Sequence, residues 1–339
     1  MKNQQSYYGG FFWVAITSFI VPLFVAYAAF NKLTPTTKPS PAPDASGVDN
    51  NVWDYLLRNY VENGLVDYDG IGKDYLFTTY LRQIASADPE KLATRDEKLA
   101  LHCNAYNALV INGVINHKIH RNEKNVLNYT PKDVATTLEE LDKQIEALKR
   151  GPDADPAKIT QLMERADALR AGSQFFRLEE HVFADKTISL DHLEQKIIRP
   201  VFKEPRIHVA LVCAARSCPA IRGEAYIGSR IEAQLQDQAT QFANNLTYVE
   251  YDSVGDSLKL SPLLKWYSED WDAQGGYLVW LSKLVKNEST RDKLLAAGQG
   301  QVKVDFKTYD WTLNSQTGSG SSSSGKDSGG FGSGSVPNE

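Results

Sequence analysis

Sulfur and spare positive charge are what this sequence has least of. Its 339 residues include three cysteines, Cys103, Cys213 and Cys218. That is too few for a disulfide framework, so whatever they do is local. Lysine and arginine total 37 against 42 aspartates and glutamates, a net charge of -5. With no basic excess there is nothing to attract nucleic acid, and no such partner is expected. Charge is missing altogether from residues 9–30, "GGFFWVAITSFIVPLFVAYAAF". As a helix at ~1.5 Å per residue this run spans about 33 Å, enough for a bilayer core of ~30 Å. A soluble core helix normally keeps a polar face, which this run lacks. Lys2, the apolar run and "AYA" at Ala26–Ala28 also fit a signal peptide cleaved near Ala28. The run is long for that purpose, so residues 1–30 are expected to be an uncleaved anchor with the body outside the cytoplasm. Lys2 on one side and Lys32 and Lys38 on the other leave the orientation undecided by charge.

Composition then divides the rest. Residues 31–48 are rich in proline from Pro35 to Pro43 and read as an extended tether. Residues 316–339 are dominated by Gly and Ser and are expected to be disordered, because they cannot bury enough apolar surface to offset their ordering entropy. The folded body is therefore expected over 49–315 as one domain without internal repeats.

Periodicity predicts mostly helices there. Val52, Trp53, Leu56, Leu57, Tyr60 and Val61 recur on one helical face, with Gly64 as the stop. Leu76, Tyr80 and Ile84 repeat the pattern. Thr94 and Glu97 form a capping box ahead of a long helix through Leu99, Tyr106, Val110 and Val114. Residues 131–172 predict a charged αα-hairpin whose narrow seam runs through Leu138, Leu141, Ile145, Leu148, Ile159, Leu162, Ala166 and Leu169. A short strand pair precedes a helix capped by Ser189. "IHVALVC", 207–213, reads as a buried strand, further helices follow, and "VKVDFKTYDWTLN" is strand-like. The fold class is α+β: a single, mostly helical domain around a small sheet, with the hairpin added.

The stretches "YVENGLVDYDGI", "NAYNALVING", "ISLDHLEQKIIRPVFKEPRIHVALVCAARSCPAIRGEAY" and "YDWTLN" occur in the order seen in the uncharacterised family known as domain of unknown function 547. The chain resembles that family over nearly all of 52–314. The resemblance implies a bacterial, commonly exported domain of unsettled activity; plant relatives carry a similar domain beside a leucine zipper. With the uncharged run, the expectation is an inner-membrane anchor with the body in the periplasm, and an envelope protein or ligand as partner. The hairpin at 131–172 looks like an insertion that typical members lack, and Cys103 stands where they carry a hydrophobic residue.

Two chemistries compete for the polar residues. A cysteine hydrolase or acyl transferase, papain- or transglutaminase-like and acting on amide or ester bonds, needs a thiolate, a histidine and a group that orients the histidine. His208 and Cys218 are the candidate catalytic pair. Along a strand Cys213 would sit about 16 Å from His208 and on the opposite face, so it is not the expected partner. Cys103, two turns inside its helix, lacks the helix-start dipole that activates a thiol. The H-x4-C-x4-C spacing of His208, Cys213 and Cys218 is unlike the short loops that wrap zinc, so neither a metal nor a cofactor is expected. Cys213 and Cys218 are either a disulfide or two buried thiols. Asn104 and Asn107 share a helical face within core, and each must be bonded. They either tie the helix to backbone or line a binding pocket with Tyr106, His208 and Glu194 or Asp310. The structural tie and a non-enzymatic envelope interaction module are the favoured expectations.

Overall fold

The structure, a computed structural model, describes residues 37–316 apart from 123–124, 130–131, 152–154, 171–173 and 178–179. The chain divides into two units, Met1–Lys38 and Pro39–Glu339. The uncharged run at 9–30 lies outside the described residues. Among the described residues no helix is long and apolar enough to cross a membrane. Every element named below belongs to the second unit.

Helix α1, Asn50–Tyr60, begins where the Asp49 carboxylate accepts from the Asn51 N–H, and it buries Val52, Trp53, Leu56 and Leu57. Structure reaches back into the expected tether, since Ser46 and Val48 are buried and the Ala42 N–H donates to Asp49. The helix stops at Tyr60 rather than at Gly64. Asn63 and Gly64, with φ of 53° and 78°, form the tight turn joining strands β1 (Val61–Glu62) and β2 (Leu65–Val66). Positive φ at both central residues is what a type I′ hairpin turn requires, and Asn-Gly supplies it at least cost.

Helix α2 is Tyr75–Ala85, and α3 is Arg95–Asn116. The capping box forms as expected: Thr94 Oγ1 accepts from the Glu97 N–H at 3.1 Å, and Glu97 accepts from the Thr94 N–H at 2.9 Å. Every residue of α3 from Leu99 to Ile111 is buried, which makes it the axis of the domain. Helices α4 (Lys132–Arg150) and α5 (Pro156–Arg170) form the hairpin, where Leu141, Ile145 and Ala166 make a small apolar cluster of their own. Strands β3 (His181–Phe183) and β4 (Lys186–Ile188) pair before the Ser189 cap, and α6 is Ile231–Ala243. Strands β5 (Val249–Asp252), β6 (Ser257–Leu260) and β7 (Lys303–Phe306) form one sheet, antiparallel between β5 and β6 and parallel between β6 and β7; α7 is Glu288–Gly298. The architecture is α+β, with three small separate sheets among the described residues in place of one.

Two apolar clusters make up the main core. One gathers α1 to α3 with residues up to Leu235 and with Leu313; the other gathers the end of α6, the three-stranded sheet and the segments after it. Ile207 belongs to the first and Val209 to the second, so His208 stands at their seam. The predicted strand at 207–213 is absent. Pro205–Val209 is a single 3-10 turn, capped where Glu204 accepts from the Arg206 N–H, and the Ala210 and Leu211 N–H groups both donate back to the Ile207 carbonyl. A strand needs a neighbouring backbone. Here a side chain takes that part: the Asn107 amide donates to the Ala210 carbonyl and accepts from the Val212 N–H, both at 3.0 Å.

Candidate functional site

Asn104 does the same work one turn earlier on α3. Its amide brackets Tyr226, donating to the carbonyl at 2.8 Å and accepting from the N–H at 2.9 Å, and also reaches Asn50. Both amides therefore wire the central helix to irregular backbone that would otherwise leave buried polar groups unpaired. Asn107 thereby fixes the approach to Cys213, whereas Asn104 lies at a different contact.

Tyr106, on the same helix, points to Glu194. Its hydroxyl donates to the carboxylate at 3.0 Å, and the charge of the same group acts on the Tyr267 phenol. Burial, together with the charge of Glu194, holds both phenols far above their ordinary pKa. Glu194 sits in a π-helical turn, Leu193–Ile198, a rare widening that often marks functional sites. Tyr267 also carries the His208 ring, stacked at 3.8 Å between centroids and 16° between planes.

His208 is 3% exposed, and its partner is neither asparagine nor cysteine. Nε2 lies 2.5 Å from an oxygen of Asp270. Arg199 clamps the same carboxylate with two N–H groups at 2.9 Å and lies over the Tyr267 ring. Burial alone would raise the Asp270 pKa, but the bonds from His208 and Arg199 outweigh it and hold the carboxyl far below its usual range. Arg199 and Asp270 open onto a surface depression of about 410 Å³ that is also lined by Gln195, Pro200, Lys203, Glu269 and Ala273. Neither cysteine contributes to that depression.

The thiols form a second focus. The Cys213 N–H donates to the Cys218 sulfur at 3.0 Å, and the Cys213 sulfur lies 3.2 Å from the Tyr309 hydroxyl. Both cysteines are free thiols; Cys218 is buried, whereas Cys213 is only half-buried. Burial raises both pKa values, yet at Cys213 the donors from the Cys218 thiol, the Tyr309 hydroxyl and the Ala215 N–H prevail and bring it below the ordinary thiol value. Cys218 moves the other way, raised by burial and by its neighbour. Cys103, fully buried, is pushed up to about 12, so it is inert. The turn is strained, since Ala214 holds a φ of 61°, a left-handed conformation that costs an L-residue roughly 1–2 kcal/mol. The far end of the chain holds it there. Ala214 accepts from the Asn314 N–H, Arg216 donates to the Thr312 carbonyl, and Ser217 donates to the Asp310 carbonyl. Asp310 itself is exposed, with its carboxylate accepting from the Thr312 N–H.

Of the expected residues, the structure brings Tyr106, Glu194 and His208 together through Tyr267, sets Cys218 beside Cys213, and leaves Asn104 and Asp310 elsewhere. Tyr267, Asp270, Arg199 and Tyr309 were missed. Tyr309 opens "YDWTLN", one of the stretches carrying the resemblance, while "WYSEDW" reads only as helical. Among the described residues no cluster of three or more His, Cys, Asp or Glu side chains is placed to hold a metal ion.

Residues 89–243 match the model of the family described as "Protein of unknown function, DUF547". That region is a DUF547 region. The match runs from the entrance of α3 to the end of α6, so it includes Asn104, Asn107, Glu194, His208 and both thiols of the turn. Asp270, Tyr267 and Tyr309, which complete the two foci, lie beyond it. Neither a curated protein nor a solved structure matches the chain.

Proposed function

We propose that this protein is a membrane-tethered, extracytoplasmic interaction module. The uncharged run at 9–30 and the proline-rich stretch after it support the tether. One observation carries the binding role. Trp266, Tyr309 and Trp311 pack on one another with centroids 4.6–6.2 Å apart, and all three stay partly exposed, with the Tyr309 hydroxyl 3.2 Å from the Cys213 sulfur. Large rings left partly in water are the groups that dominate recognition energy when a partner covers them. The alternative, a hydrolase using His208 with Cys218, has its two parts bonded elsewhere, the imidazole to Asp270 and the Cys218 sulfur to the Cys213 N–H.

The test uses full-length protein in its native host. Fractionation should place it in membranes, with the body open to protease from the outer side. A photo-crosslinking residue at position 311 should give a discrete adduct that weakens in Trp266→Ala, whereas position 254, 96% exposed and remote in the sequence, serves as control. Equal crosslinking at 311 and 254 sinks the interaction reading; cytosolic fractionation sinks the tether.

A further inference from the structure

The thiol turn is built with an asymmetry that a binding surface does not require. Cys213 is partly exposed, with the Tyr309 hydroxyl against its sulfur, whereas Cys218 is 5% exposed. The 3.0 Å contact from the Cys213 nitrogen puts the Cys213 Cα within about 4.5 Å of the Cys218 sulfur, given an N–Cα bond of about 1.46 Å. The turn between them, Ala214–Ser217, is pinned by the C-terminal segment, which holds the Cys218 sulfur beside the Cys213 backbone.

We propose that Cys213 and Cys218 are a reactive dithiol that exchanges with substrate disulfides, Cys213 attacking and Cys218 resolving. The Cys213 thiolate attacks one sulfur of the substrate disulfide. That S–S bond breaks, a new one joins Cys213 to the substrate, and the displaced sulfur leaves as a thiolate that takes up a proton. Cys218 then gives its proton to solvent and attacks the Cys213 sulfur, forming the Cys213–Cys218 bond and releasing the second substrate thiolate. The dithiol loses two electrons and two protons, the Cys213 proton having passed to solvent when its thiolate formed, and the substrate gains two electrons and, once its second thiolate is also protonated from solvent, two protons. Tyr309 is a positioning residue. Its hydroxyl, 3.2 Å from the attacking sulfur, donates to the thiolate. The lowered pKa of Cys213 and the raised one of Cys218 agree with this division of roles. The activity goes beyond the interaction reading and does not depend on it, because its readout needs no partner.

The experiment takes reduced full-length protein in detergent and exposes it to glutathione disulfide and, separately, to insulin as a polypeptide disulfide. Differential alkylation with peptide mass analysis should find a Cys213–Cys218 bond in the wild type and Cys103 still reduced. Cys218→Ser should trap the mixed disulfide on Cys213, whereas Cys213→Ser should trap at least about tenfold less on Cys218. Tyr309→Phe should slow Cys213 alkylation at pH 6.5 more than at pH 9, a pH-dependent effect that a merely structural role would not produce. Trapping from insulin assigns a polypeptide substrate, and trapping from glutathione alone assigns a small one. The proposal is overturned if the wild type stays a dithiol with both, or if Cys218 in Cys213→Ser reacts as fast as Cys213 in Cys218→Ser. The wild-type measurement stands even where a serine variant does not fold.

Discussion

At the scale of single residues, His208 shows how a polar group at a core seam is secured. The imidazole, stacked on Tyr267 and bonded to Asp270, leaves no buried charge alone, because Arg199 holds the other side of the carboxylate. Asp270 keeps a pKa far below that of a free carboxyl. Its contribution to stability is therefore present above the unfolded value of about 4 and is lost as pH falls through the folded value. Asp270→Asn should be less stable than wild type at pH 7, and the gap should narrow steadily as pH falls below about 4. Urea unfolding of both proteins from pH 7 to pH 2.5 reads this directly. A gap independent of pH would show that the carboxylate's charge is not what holds His208.

At the scale of elements, the hairpin α4–α5 is the piece with least claim on the core. Its buried residues Leu141, Ile145 and Ala166 form a cluster separate from the two that build the body. Replacing 131–172 with a short Gly/Ser linker should leave a domain that unfolds cooperatively, since closing a longer or shorter loop changes the entropy only slowly. Circular dichroism during urea unfolding checks it; a broad, non-cooperative transition would mean that the hairpin completes the fold. The spacing of apolar residues made both helices legible, because a seam at 3-4-3 intervals has no other regular solution. The segment 207–213 misled for a related reason. An apolar run shows that a segment is buried, but not whether its backbone partner is a strand or an asparagine side chain.

Across the whole molecule, the C-terminal segment closes the domain. Val66, Ala214, Arg216 and Ser217 all bond to residues 310–314, Leu313 is buried in the main core, and the Gln316 N–H reaches the Val66 carbonyl. Truncation after Phe306 should lower the urea midpoint and slow Cys213 alkylation, because Tyr309 and the braces on the strained Ala214 are lost together. Removing only 318–339 should change neither. If truncation after 306 leaves the midpoint in place, the C-terminal segment is an accessory.

What this sequence determined by itself was whatever depends on neighbours in the chain. The cap at Thr94, the helical faces and the α+β class follow from local geometry and from apolar spacing, which act over a few residues. The family match was also legible, carried by stretches such as "NAYNALVING" that stay contiguous. The obligation of Asn104 and Asn107 to find partners could be read too, because a buried amide cannot go unbonded. Which partners they found was decided only in three dimensions. His208 meets Asp270 across 62 residues, and Cys213 meets Tyr309 across 96. No local periodicity encodes a pairing at that separation. It depends on how two apolar clusters dock along the Pro205–Val209 turn, and that docking is a property of the packed core as a whole.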